Sequence, residues 1–281
     1  MLDRRYQTLI ALAKYHSFTK TAQKLYITQP AVSQQIASLE EELDFALVIR
    51  DHGKIHLTPA GEKLAQFATQ IEFEGTKVID SLRNNVEHLK MGCTLSLSST
   101  ILPKFVQQLS TRTNIVTTKI NNTQHILQNI RDGKVDFGLI EGNFNKKEFD
   151  AFLLQKEHFI GVGHNKYRCD SIENLFNQPL LLREKGSGSR EIFENWLATQ
   201  NYNINDFKNT IEIASPSAII EYLTQNDGIS FMYESLVVNE LKTEQLKKLD
   251  LTGFHVEHPI NLVFLKNSYF KNIYQEIVES V

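Results

Sequence analysis

The stretch "TQPAVSQQIASLEEEL" opens with Thr28, Gln29, Pro30, Ser33 and Gln34. Amide and hydroxyl side chains gathered at one helix start pack poorly. They suit the edges of bases, because Gln pairs bidentately with adenine and Ser bonds several base edges. Arg50 and Lys54 flank "DHG" a little further on. Cations there suit phosphates, which position a protein on a duplex without reading its sequence. A second chemistry lies in the last two thirds of the chain. "SLSST" supplies Ser98, Ser99 and Thr100; "LIEG" ends in Glu141 and Gly142; "REKGSGSR" supplies Gly186, Ser187, Gly188, Ser189 and Arg190; "IASPS" supplies Ser215. Hydroxyls, glycines that admit close backbone approach and free N–H groups at helix starts together favour an anion. Glu141 and Glu184 oppose a bare polyanion, or else pair with an amine or with Arg183 and Arg190. Each Ser or Thr alone is an ordinary helix cap; only their convergence at strand ends indicates a ligand site.

Periodicity supplies the elements that must hold these residues. Leu2, Tyr6, Leu9, Ile10 and Ala13 recur at helical spacing. A short second helix, capped by Ser17 or Thr19, would turn Ala22, Leu25 and Tyr26 inward. Thr28 is the expected N-cap of a third, with Pro30 near its first positions, where a missing N–H is harmless. Ala31, Val32, Ile36, Leu39 and Leu43 form its buried stripe, and Glu40, Glu41 and Glu42 read as a solvated face. Two short helices followed by the hairpin "VIRDHGKIHLT" make a winged helix-turn-helix over residues 1–58. Residues 59–91 read as one long linker helix. Its seam of Ala60, Leu64, Phe67, Ile71, Val78, Leu82 and Leu89 needs a partner, either the chain's own domain or, the stronger reading, a second copy of the chain. Gly92 would stop it.

From Cys93 onward apolar β runs alternate with helices, the pattern of α/β sheets covered on both faces. Two such runs predict two subdomains in an effector-type domain over 92–281, one about 92–161 with 255–281, the other about 162–254. Ligands in open α/β sheets sit beyond the carboxyl ends of the strands, where the Ser-rich segments fall.

The segment "FTKTAQKLYITQPAVSQQIASLEEELDFALVIRDHGKIHLTPAGE" resembles the DNA-binding region of the LysR-type transcriptional regulators, with "TQPAVSQQI", "LEEEL" and "LTPAGE" in order and spacing. Asp44, Val48 and Thr21 depart from the family's usual Gly, Phe and Ala; Asp44 would need a left-handed backbone or a different helix ending. The C-terminal layout is similar, more weakly, to LysR-type effector domains, themselves similar to periplasmic solute-binding proteins. "REKGSGSR" and "LIEG" resemble a subgroup with an "EKGSGTR" segment that includes sulfur- and carbon-fixation regulators. The resemblance implies a dimerising linker helix, a dimer or tetramer, double-stranded operator DNA as partner, RNA polymerase as a further partner and a small-molecule effector.

Composition bounds the rest. The 281 residues carry net charge −3, so DNA binding needs a local basic patch rather than a basic coat. Two cysteines, Cys93 and Cys169, suggest no disulfide framework and fit a reducing cytoplasm. No apolar run of about 18 residues and no secretory leader is evident. Walker, H-E-x-x-H, C-x-x-C and G-x-S-x-G patterns are absent. No catalytic residue, metal or cofactor is therefore expected; His255 and His258 read as surface residues. The rival readings are a solute-binding protein or an α/β enzyme carrying a DNA-binding head, and a constitutive DNA binder with a vestigial cleft.

Overall fold

The computed structural model describes residues 2–51, 54–84, 88–110, 115–164 and 171–280, without the side chains of residues 50, 51, 54, 84 and 115. The chain forms two compact units, Met1–Val86 with Arg131–Gly133, and Glu87–Ile130 with Lys134–Val281.

The first unit begins with α1 (Arg4–Tyr15), α2 (Phe18–Leu25) and α3 (Gln29–Leu43), then the antiparallel pair β1 (Val48–Asp51) and β2 (Lys54–Leu57), then α4 (Pro59–Asn84). Asp3, Ser17 and Thr28 cap the three short helices, each accepting a hydrogen bond from a first-turn N–H. Leu9, Leu12, Phe18, Val32, Ile36, Leu39 and Leu47 close one core. Tyr26 does not join it. That residue ends α2 in the left-handed conformation (φ 56°), so Ile27 takes the inward place and Tyr26 is 95% exposed. Asp44 ends α3 in the same left-handed way (φ 57°).

The acidic end of α3 is not a plain solvated face. Glu40 accepts hydrogen bonds from the Leu47 and Val48 N–H groups at 2.7 and 3.0 Å, fixing the entry to the wing. Glu42 pairs with Arg5 at 2.6 Å. Thr21 is fully buried and its hydroxyl has no hydrogen-bond partner among the described residues. Thr21→Val keeps the shape and removes the stranded hydroxyl; chemical denaturation should show a gain of about 1 kcal/mol.

α4 ends at Asn84, earlier than its apolar spacing implied, and β3 (His88–Thr94) follows. Leu82 and Leu89 are seven residues apart, which suits a helical seam. Yet His88 and Lys90 are exposed while Leu89 and Met91 are buried, the two-residue period of a strand. Gly92 therefore stops no helix. It lies opposite Gly138 on a neighbouring strand, and a Cβ on either would come within 2.7 Å of the Ile126 side chain. Leu64 packs on the head's own core, with Ala65 and Ala68 buried nearby. What remains of the seam is Phe67 and Leu82, 57% and 77% exposed, with Ile71 also exposed and Val78 half-buried.

The second unit holds one continuous sheet. Its first lobe runs β3, α5 (Leu102–Leu109), β4 (Ile115–Asn121), α6 (Thr123–Arg131), β5 (Phe137–Ile140). Its second runs β7 (Pro179–Leu182), α7 (Gly188–Thr199), β8 (Asn209–Glu212), α8 (Pro216–Gln225), β9 (Ile229–Tyr233). In both, the first strand lies between the other two, all parallel, as helical crossovers require. β6 (Phe149–His164) and β11 (Val256–Leu265) join the lobes, giving the order β4-β3-β5-β11-β6-β9-β7-β8, with β10 (Leu246–Lys248) also on β6. α9 (Val238–Lys242) precedes β10, and α10 (Lys271–Glu279) ends the chain. Each lobe has its own core, one around Ile126, Ile140, Phe149 and Val263, the other around Ile160, Leu181, Leu223 and Met232. The two subdomains thus share strands rather than separate sheets. Among the described residues no helix is long and apolar enough to cross a membrane.

Candidate functional site

At the start of α3, Thr28 accepts from the Ala31 N–H at 3.3 Å, so its oxygen caps the helix. Gln29, Pro30 and Gln34 are exposed, and Ser33 is half-buried. Gln35 faces inward and accepts from the Thr8 hydroxyl. The helix thus presents two amides outward and keeps a third for packing. Tyr26 stands just before them, fully outward, a neighbour that spacing alone placed inside. Arg50 and Lys54 occupy β1 and β2, Arg50 opposite Ile55 and Lys54 opposite Asp51. Their side chains, and the turn at His52 and Gly53, lie outside the described residues.

In the second unit the carboxyl ends of β3 and β5 meet those of β7 and β9. Thr94, the last residue of β3, donates its hydroxyl to Glu141, which immediately follows β5. Arg183 follows β7, donates to the Ser96 hydroxyl at 3.2 Å and grips Glu184 through two bonds at 2.9 and 3.1 Å. Backbone seals the junction. Thr123 donates to the Glu141 carbonyl at 3.0 Å and accepts from the Gly188 N–H at 3.2 Å; the Gln124 N–H donates to the Gly186 carbonyl at 3.1 Å. Gly186 (φ 88°) and Gly142 (φ 92°) hold conformations that L side chains rarely adopt.

Burial dominates the electrostatics of Glu141 and pushes its carboxyl pKa up; the Thr94 and Ser96 hydroxyls and the Arg183 charge pull the other way without reversing it. Burial, then the charges of Glu141 and Glu157, raise the Tyr233 phenol, whose oxygen has no hydrogen-bond partner among the described residues. Burial likewise raises the Cys93 thiol. A carboxyl raised in the fold stabilises it fully only below its unfolded pKa and loses that contribution as pH rises through the folded value. Glu141→Gln should therefore raise the melting temperature at pH 8 and leave it nearly unchanged near pH 4. A pH-independent difference between the two chains would contradict a strained, buried carboxylate.

The sequence-predicted residues divide unevenly. Glu141, Gly186, Ser187, Gly188 and Ser189 come together. Ser187 and Ser189 are buried, with their hydroxyls 3.0 Å apart, and Ser187 makes no side-chain cap at the start of α7. Arg190 turns away: it binds Glu194 at 2.8 Å, Glu212 at 2.6 Å and the Arg183 carbonyl at 3.0 Å. Burial opposes its charge, and the bonds to Glu194 and Glu212 more than offset that. Ser215 caps α8, accepting from the Ala218 N–H at 3.3 Å. β3 ends at Thr94, four residues before "SST", so Ser98 donates to the Leu95 carbonyl at 2.8 Å and Ser99 is exposed. Thr100 alone of the three has a buried hydroxyl without a partner among the described residues. Arg183 pairs with Glu184, one of the pairings the sequence offers; Thr94, Ser96 and Tyr233 are additions that the sequence analysis does not name. The strand-end position of Thr94 and Ser96 could have revealed them, had the end of β3 been placed correctly. His258 is half-buried, not a surface residue.

A head of three helices and a wing, joined to a two-lobed α/β unit with polar groups converging at its strand ends, has the architecture of a ligand-responsive DNA-binding protein. Residues 4–62 match the bacterial regulatory helix-turn-helix proteins of the lysR family, and residues 83–281 match the LysR substrate binding domain. The chain belongs to the LysR family of transcriptional regulators, with a DNA-binding head and an effector-binding domain. It is similar to the HTH-type transcriptional regulator CysL of Bacillus subtilis, 27% identical over 98% of this chain and 95% of that protein. It is also similar to a probable RuBisCO transcriptional regulator of Cyanidium caldarium, 23% identical over 88% of this chain and 82% of that one. The structure of ArgP from Mycobacterium tuberculosis shares the fold, with a TM-score of 0.71 and 16% identity over 100% of this chain and 97% of that one. The family is one of regulators that bind DNA and form oligomers, not of enzymes.

Proposed function

We propose that this regulator reads operator DNA through Gln29, Ser33 and Gln34, with Thr28 and Pro30 shaping the helix start and Arg50 and Lys54 on the backbone. Pairing of two chains along Phe67, Ile71, Val78 and Leu82, spaced by four, seven and four, would give a dimer, or two dimers a tetramer. The controlling metabolite is a small anion seated where α7 begins, in the cytoplasm, and RNA polymerase is a further partner. "REKGSGSR" and the likeness to CysL and RuBisCO regulators support placement in the "EKGSGTR" subgroup.

One observation carries the effector assignment: the start of α7, where Thr123 takes only the Gly188 N–H. The Ser189 and Arg190 N–H groups have no acceptor one turn back in the helix, and the buried Ser187 and Ser189 hydroxyls lie beside them. With Glu184 held by Arg183 and Glu141 biased toward its neutral form, neither carboxyl repels an anion strongly. The test is a thermal-shift screen of anionic metabolites on the full chain, repeated on Ser187→Ala. A hit should stabilise by mass action and weaken about ten-fold, about 1.4 kcal/mol, on losing one hydroxyl. A hit indifferent to Ser187→Ala places the effector elsewhere.

A further inference from the structure

The Glu141–Gly142 peptide separates two environments. On one side is the cluster of Thr94, Ser96 and Arg183. On the other, Gly142 borders an open cavity of about 450 Å3 that none of those three residues lines. Its walls come from the segment after β5, the start of β6 and the middle of β11, with Phe144, Leu153 and Pro259 as apolar surface and Lys146, His258 and Asn261 as polar groups. The volume lies within the usual range for small-molecule sites, and polar groups line it about as fully as apolar ones.

The local backbone is irregular where the cavity opens. Ile260 pairs with Gln155 but Asn261 pairs with Leu153, so Leu154 is an extra residue on β6. Such a bulge bends the strand and re-aims side chains. The rim also reaches the second lobe: Asn143 donates to Glu191 of α7 at 3.1 Å. Material in this cavity would thus press on both joining strands and on the helix whose start forms the other site.

The polar groups restrict the occupant. Asp150 also lines the cavity, but it pairs with Lys271 at 3.2 Å, leaving Lys146 as the lining charge to be met. His258 Nδ1 lies 3.1 Å from the Pro259 carbonyl; donating there leaves Nε2 as an acceptor. Burial also lowers the His258 pKa, keeping the ring neutral. A carboxylate for Lys146, a hydroxyl donor for His258 and an apolar body for Phe144, Leu153 and Pro259 describe one chemical class.

We propose that this cavity is a second effector site, for a small hydroxy acid with an apolar side chain. The test is calorimetric titration of the full chain with 3-phenyllactate, with its methyl ester as the uncharged control. Saturable binding is expected for the acid. Leu153→Trp should abolish it, since Leu153 is 52% exposed at the rim and a larger ring fills the cavity from outside. Lys146→Gln, at an exposed position that leaves folding untouched, should weaken binding about ten-fold. Ser187→Ala should leave it unchanged. No saturable binding, equal binding of the ester, or Lys146→Gln binding like the unaltered chain would overturn the proposal. So would loss in Ser187→Ala with retention in Leu153→Trp, which would assign the acid to the α7 site. The reading of the α7 site fails separately, on its own screen.

Discussion

Gly188→Ala should be the most damaging single-methyl change in the effector unit. A Cβ at this position would lie 2.4 Å from the Glu141 carbonyl oxygen and 2.8 Å from its carbon, both backbone atoms that no rotamer can move. Thr123 Oγ1 stands at 2.8 Å on the same side. The start of α7 must then move off the end of β5, which breaks the Thr123 bridge to Gly188 and Glu141. Overpacking of this kind costs about 1–3 kcal/mol, and the lost buried hydrogen bonds add to it. Denaturation followed at Trp196, which lies on α7, should show the loss. The effector response should fall with it, while operator affinity without effector should change little. An unaltered midpoint would mean that the two lobes are not held together at this point.

The second large effect concerns specificity. Gln29→Ala and Gln34→Ala each remove an exposed amide from the start of α3 without touching the core. Each lost base contact is worth about 1–3 kcal/mol, so operator affinity should drop about 10–100-fold while affinity for random duplex stays level. Gln35→Ala supplies the contrast. Its amide accepts from Thr8 inside the head, so the expected result is a lower melting temperature with the discrimination ratio intact. Fluorescence anisotropy on both duplexes at one fixed salt concentration separates the two outcomes. Equal loss on operator and random DNA for Gln29→Ala would remove it from the reading set.

These predictions rest on different amounts of sequence information. The head was legible because its signals are local: Thr28 caps three residues ahead, Pro30 sits where a helix tolerates it, and the apolar stripe of α3 repeats within one element. Tyr26 failed for a local reason too, since a left-handed residue shifts the phase of the helical pattern by one position. The end of α4 was misread because a seven-residue gap fits both a seam and the start of a strand, and only burial separates them. The segments of the candidate effector site were legible, and so was the Arg183–Glu184 pairing between chain neighbours; its long-range partners were not. Arg183 reaches Ser96 across 87 positions, and Thr94 reaches Glu141 across 47. Nothing in either neighbourhood announces the other. Arg190 shows the same limit: its place beside "GSGS" suggested a ligand contact, and nothing in the sequence marked its bonds to Glu194 one turn on and Glu212 in β8.

One joint in the head bears on how a signal is delivered. Thr58 donates its hydroxyl to the Ala46 carbonyl at 2.8 Å, accepts from the Gly61 N–H at 2.9 Å and gives its own N–H to Leu47 at 2.9 Å. Gly61 leaves no room for slack, since a Cβ there would lie 2.2 Å from the Leu47 oxygen. The wing and the root of α4 are therefore welded like a key to its shank. A rotation at the root of α4 would carry the residues that lead into β1 with it.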